Sequence, residues 1–271
     1  MLGSAILHSS IGLYTKSSGD TLAFRCVLML GAAVVFSPLL FLHPFPSAET
    51  WRFLLIGAGL HWAFQMAMIS AFDRGDMGLV YPVMRGSAPL LAGFFALLFL
   101  QERLNLIEWS GLALASAAAL AFAWPDKGGA PKLKALAFAL IAALMTALYS
   151  VNDAAGARSA GSGLAYVGWF FLVTTPGILA TGLVRRGRAL PGLMRKELRI
   201  GLIAAVFGGL SYLLALTAFA LAPVAPMAAM RETSIVFGAI LAALVLKENF
   251  GRRRIVLAIL LAAGLVMIQA F

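Results

Sequence analysis

Runs of apolar residues separated by short polar connections organise the whole chain. Ten runs approach or reach the ~20 residues that cross a bilayer as a helix. They are residues 2–15, 22–42, 53–72, 79–100, 107–124, 135–152, 164–184, 200–221, 224–246 and 255–271. The runs are continuous and do not alternate, so they predict helices and not a barrel. The connections "HPFPSAET" and "WPDKGGAPKLK" hold the proline and glycine that end helices. None is long enough to form a soluble domain. The first run is short, which fits a tilted helix or a start further upstream. Met1 to Leu7 carries no basic segment or cleavage pattern, so no cleaved signal peptide is expected. The pattern predicts an all-α membrane protein with ten transmembrane helices.

The polar exceptions inside the runs carry more information than the runs. Arg85 lies within "LVYPVMRGSAPLLAGFFALLFL". An arginine at that depth costs about 2.5–3.5 kcal/mol on insertion scales and marks a pathway or a partner. Arg231 lies in the equally apolar "APMAAMRETSIVFGAILAALVLKEN". Met84-Arg85 and Met230-Arg231 are both offset by 146 positions, as are Glu102 and Glu248. Upstream, "AFDRGDMGLVYPVMR" parallels "AFALAPVAPMAAMR" with one gap. The chain reads as two five-helix repeats, residues 1–124 and 135–271. An odd number of spans per repeat inverts the second relative to the first. Inverted repeats of this kind belong to transporters with a site near the midplane.

Composition strengthens the membrane reading and redirects the charge. The 271 residues are 62% hydrophobic and 12% charged, with a mean hydropathy of +0.94. Soluble domains are about 25% charged. The net charge of +10 is spread over short connections rather than one face, which argues against a nucleic-acid partner. The single Cys26 excludes an internal disulfide. Assigning lysine and arginine to alternate sides of ten spans gives sixteen against three, with Arg52, Arg103 and Arg158 on the poor side. The positive-inside rule then places both termini on the non-cytoplasmic side.

Two five-span halves with the endings "LQERL" and "LKENF", each followed by a closing helix rich in small residues, resemble the EamA-type branch of the drug/metabolite transporter superfamily. The resemblance covers the whole chain. It implies a bacterial inner-membrane, multi-pass location and a central cavity lined by spans 1, 3, 4, 6, 8 and 9. It implies a small-molecule cargo, amino acids among the possibilities. Four-span relatives export cations through a glutamate in span 1. This chain has His8 there and no acid.

The residues that could line such a cavity follow from helical spacing. Tyr81, Arg85 and Pro89 share one face, and Arg231 shares a face with Met227, Ser234 and Ile235. His61 and Gln65 share a face of span 3. Tyr149, Asn152 and Asp153 share a face near the end of span 6. Tyr212 follows Gly208-Gly209 in span 8. We take Arg85, Tyr81, Arg231, His61, Gln65, Tyr149, Asn152 and Tyr212 as candidate substrate-binding residues. His8, Asp153 and Glu232 are candidates for proton coupling, since intramembrane titratable groups default to function. Each has a plainer reading. Arg85 can be a structural ion-pair partner of Glu232 or Asp153, and Glu232 can neutralise Arg231 locally. The tyrosines can be core or interfacial aromatics. Ser9 and Ser10 in span 1 read as interhelical hydrogen-bonding residues. Glu102 and Glu248 read as span-end charges favouring the start of the next helix.

No nucleophile elbow, phosphate loop or paired-carboxylate motif is present in the sequence, so an enzyme is not expected. His8, His43 and His61 have no metal-ligand spacing, and no metal or other cofactor is expected. Two arginines with few intramembrane acids favour a secondary transporter of a small anionic or zwitterionic metabolite: amino-acid-like, carboxylate or phosphonate. Arginine's planar fork binds such groups bidentately. The competing reading is a flippase, or flippase subunit, for a lipid-linked phosphate intermediate. Protons are a possible second cargo.

Overall fold

The computed structural model describes residues 1–75, 77–121, 133–237 and 252–269. Every regular element among them is helical. In chain order they are α1 (Leu2–Ser17), α2 (Thr21–Phe36), the single-turn α3 (Leu39–Leu42), α4 (Ala48–Phe72), α5 (Met77–Leu100) and α6 (Leu106–Ala121). Then follow α7 (Leu133–Ser159), α8 (Gly163–Arg186), α9 (Leu190–Leu221), α10 (Val224–Arg231) and α11 (Arg252–Gln269). A 3-10 turn, Gly187–Ala189, joins α8 to α9.

Among the described residues, five segments are long and apolar enough to cross a membrane: Thr21–Leu42, Ala48–Phe72, Val83–Leu100, Leu133–Ser159 and Gly163–Leu221. The last contains two of the runs read from the sequence. Leu2–Ile11, Leu106–Ala121 and Ile255–Ile268 are shorter apolar helices. The end of the ninth run lies outside the described residues. Helix starts agree with the hydropathic runs to within a few residues except in α9, which begins ten residues before Ile200. Its first turns carry Arg195, Lys196 and Glu197, charges that hydropathy counts against a span but that suit a helix emerging at the interface. The other large difference is α7, which runs on to Ser159. Large apolar side chains are exposed along these helices, among them Leu55, Leu98, Phe99, Ile259 and Val266. A water-soluble protein rarely shows so much contiguous apolar surface; for a chain in lipid it is the solvated face.

Two compact units emerge, each drawing on both halves of the sequence. The first comprises residues 3–62 and 152–222. In it α2 packs on α9 through small residues, as membrane helices do: a Cβ on Gly201 would meet Val27, and one on Gly31 would meet Ala205. Ser4 and Ser211 exchange hydrogen bonds with each other's backbone carbonyl, at 2.7 and 2.8 Å. One end of the unit is polar. Asp20 caps α2 by accepting from Ala23 N and pairs with Arg186 Nε at 2.8 Å. The buried Glu197 accepts from the amides of Gly19 and Asp20. At the opposite end of α9, Arg158 donates to the carbonyls of Phe219 and Ala222, the groups left over where that helix stops.

The second unit comprises residues 63–151 and 223–271. Here α6 and α11 come into backbone contact: a Cβ on Gly111 would lie 2.6 Å from the Gly264 carbonyl, and the reverse holds as well. Leu112, Ala225, Ala229 and Ile268 form one buried cluster, and Ala118, Ala119, Ile235 and Leu261 another. Asn105 and Glu108 form a reciprocal cap on α6. Glu102 does favour a helix start, but not that of the following helix: its Oε2 accepts from Val224 N, the first amide of α10, at 2.7 Å. Glu248 lies outside the described residues.

Candidate functional site

In the first unit a carboxylate organises the polar interior. Asp153, on the part of α7 beyond the apolar run, is fully buried. Its Oδ2 lies 2.6 Å from His61 Nε2 of α4 and accepts from the Tyr212 hydroxyl of α9. The same hydroxyl is 3.1 Å from His61 Nε2. Oδ1 accepts from Asn152 Nδ2 at 3.0 Å and from the Tyr166 hydroxyl of α8 at 3.3 Å. Asn152 also donates to the Phe53 carbonyl of α4 at 2.9 Å. Four helices therefore meet at one carboxylate. A carboxyl group this deeply buried needs such partners, and four polar groups meet its two oxygens.

Small residues make the approach possible. A Cβ on Gly57 would sit 3.0 Å from both Asn152 Nδ2 and Asp153 Oδ1, and one on Gly156 would sit 2.4 Å from the Tyr166 ring. Aromatic rings seal the cluster: Phe170 meets the His61 ring edge-on at 4.7 Å and stacks on Tyr212 at 4.6 Å.

The second unit holds the arginines. Arg85 of α5 is buried, with Nε 3.2 Å from Glu232 Oε2 and Nη2 donating to Ser234 Oγ at 3.2 Å. The Nε contact is an ion pair by distance and not an aligned hydrogen bond. Glu232 also feels the charge of Arg231 beside it. All three groups are buried. They gather where the ninth run is interrupted: α10 stops at Arg231, Glu232 is its C-cap, and Thr233 N turns back to the Met230 carbonyl before the chain coils again. A helix broken within the membrane, with charged side chains at the break, is the arrangement transporters use for binding sites. The same unit contains Gln65, buried and with no hydrogen-bond partner for Oε1 among the described residues, and Tyr149, packed edge-on against Phe64 at 5.5 Å.

Of the residues read from the sequence, His61, Asn152, Asp153 and Tyr212 come together in one cluster, and Arg85, Arg231 and Glu232 in another. Glu232 pairs with Arg85, while Asp153 is engaged by His61 and Tyr212. His8 is half-buried on α1, and the partners described for Asp153 come from α4, α7, α8 and α9. The Tyr81 side chain lies outside the described residues. Among the described residues Ser9 and Ser10 bridge no helices; each donates to a carbonyl of its own helix, Ile6 and Leu7. That role falls to Ser4. Tyr166 was not singled out, because an isolated tyrosine in an apolar run looks like any core aromatic. The spacing of Gly156 and Asp153 on α7, one turn apart, was the available clue.

The EamA-like transporter family model matches residues 1–124 and 133–270. The chain belongs to the EamA-like transporter family, and its apolar helices make it a multi-pass membrane protein. It is similar to an uncharacterized transporter in the cobO 3' region of Sinorhizobium sp., 37% identical over 75 residues, which is 28% of this chain and 52% of that protein. The match thus spans about half the relative's length. A protein of known crystal structure has the same fold, with a TM-score of 0.76 over 99% of this chain and 96% of the other at 16% identity.

Proposed function

We propose that the protein is a secondary transporter. It carries a small anionic or zwitterionic metabolite (amino-acid-like, carboxylate or phosphonate) across the bacterial inner membrane by alternating access. Its ten spans would form two inverted five-helix repeats, 1–124 and 135–271, with both termini on the non-cytoplasmic side. The observation that carries the cargo assignment is the group of Arg85, Arg231 and Glu232 at the interrupted span. Two guanidiniums and one carboxylate sum to +1, so the group favours an added anion electrostatically. Glu232 already holds the place of a cargo carboxylate beside Arg85, and an incoming carboxylate or phosphonate offers the arginines the same oxygens. Planar guanidinium makes that exchange bidentate, which an ammonium does not. The buried Gln65 Oε1 is an acceptor suited to the ammonium end of a zwitterion.

Thermal unfolding of the purified protein with alanine, succinate or methylphosphonate tests this. A ligand of the folded state at a hundred times its Kd stabilises by about 2.7 kcal/mol. At least one of the three raises the Tm, and Arg85→Lys reduces the rise. Stabilisation by none of them, in a protein that a phospholipid-bearing micelle does stabilise, overturns the cargo class in favour of a lipid-linked phosphate.

A further inference from the structure

His61 Nε2, Asp153 Oδ2 and the Tyr212 hydroxyl form a closed triangle in which the first two atoms are 2.6 Å apart. At that distance a proton lies between nitrogen and oxygen, because two facing lone pairs would repel. The tyrosine proton serves Oδ2. Two protons therefore complete the barest form: a neutral imidazole with Nε2–H beside a carboxylate, net charge −1. One more proton fits, on imidazole Nδ1, giving imidazolium beside carboxylate. Passing the shared proton from Nε2 to Oδ2 turns that state into neutral imidazole beside carboxylic acid. Both forms have net charge zero, and they interconvert without moving a heavy atom.

We propose that the His61–Asp153–Tyr212 triangle is the transporter's proton site, taking up and releasing one proton in each cycle. The proposal rests on the transporter reading and adds a coupling device to it. Asp153 is fully buried, while the His61 side chain is about 10% exposed, so the imidazole is the edge through which a proton enters. Two other titratable or charged groups on these helices have described partners. Tyr166 of α8 donates to Oδ1, and Arg158 of α7 is turned to the terminal carbonyls of α9. From α1, Ser4 donates to the carbonyl of Ser211, the residue before Tyr212. Because α4, α7, α8 and α9 are all tied at this carboxylate, changing its charge between −1 and zero alters what holds them together. Charge changes at such a point bias two-state elements. On α4, Gln65 lies one turn beyond His61, and on α7, Tyr149 lies one turn before Asp153, so the helices that hold the proton also present candidate cargo ligands.

A purely structural His–Asp pair would keep the same protons throughout the working pH range. Infrared difference spectra of the full chain in phospholipid vesicles, recorded on stepping the pH between 5.5 and 8, separate the two and require no cargo. The wild type should show one reversible step in which imidazole and carboxyl bands change together. Asp153→Asn should abolish the carboxyl change, and His8→Asn should leave the step intact. Tyr212→Phe should keep the step but move the carboxyl band in frequency, since that oxygen loses a donor. Absence of any step in the wild type, or a carboxyl change that survives Asp153→Asn, overturns the proposal. If Asp153→Asn does not fold, Tyr212→Phe decides, and an unmoved band overturns it. Failure of the cargo assignment would instead appear as absent ligand stabilisation with this titration intact.

Discussion

His61 Nε2 stands 2.6 Å from Asp153 Oδ2, although the two residues are 92 positions apart and belong to opposite halves of the sequence. The contact ties α4 to α7 in an interior where an unpaired carboxylate would be costly. It depends on backbone room as much as on charge. Gly57 of α4 is where Asn152 and Asp153 lie against that helix, and Gly156 is where Tyr166 lies against α7.

Adding a methyl group at these glycines should therefore injure the cluster in a graded way. Gly57→Ala asks neighbours at 3.0 Å to yield slightly, whereas Gly156→Ala meets an aromatic ring at 2.4 Å. Overpacking typically costs about 1–3 kcal/mol. We expect both variants to unfold at lower temperature, Gly156→Ala the more so, as read by thermal denaturation in detergent. Equal stability of Gly156→Ala and wild type would mean that α7 and α8 are further apart than described.

The Arg85–Glu232 pair makes a second prediction about stability. Removing one partner of a buried ion pair leaves the other charge uncompensated, at a cost of about 3–5 kcal/mol, while replacing both is far milder. Arg85→Met and Glu232→Gln should each destabilise, and the double variant should be more stable than either single one. Additive losses in the double-mutant cycle would show that the two side chains do not support each other.

Much of this was legible in the sequence, and the limits are physical. Among the described residues the apolar runs fall on helices, because apolar runs are what lipid demands of a span. The 146-residue offset of Arg85 and Arg231 stands out in the sequence because charges in such runs are rare. What hydropathy misses is where a helix continues past its apolar run: Arg195, Lys196 and Glu197 lie in the first turns of α9, and Asp153 lies in α7 just beyond its run. The pairing of partners was not legible either. Asp153 and Glu232 were equal candidates for Arg85, and only the three-dimensional placement assigns Glu232 to Arg85 and Asp153 to His61. Tyr166 escaped because hydroxyl direction, not residue type, makes it a ligand.

Orientation is a third prediction. With sixteen lysines and arginines on one set of connections and three on the other, the termini should face away from the cytoplasm. A C-terminal fusion to a reporter active only in the periplasm should be active, and one active only in the cytoplasm should be silent. The reverse pattern would refute the orientation and leave the fold untouched.

Arg85 carries the central claim, that a buried guanidinium receives the anionic group of the cargo. The most direct measurement is uptake into proteoliposomes of whichever of alanine, succinate and methylphosphonate stabilises the protein. The comparison is between wild type, Arg85→Lys and the Arg85→Met/Glu232→Gln pair, each first shown to be folded. Losing the bidentate fork should weaken apparent affinity about tenfold or more in Arg85→Lys, the equivalent of about 1.4 kcal/mol, and the paired variant should not transport. Saturable uptake by the folded paired variant at the wild-type rate and affinity would contradict the account.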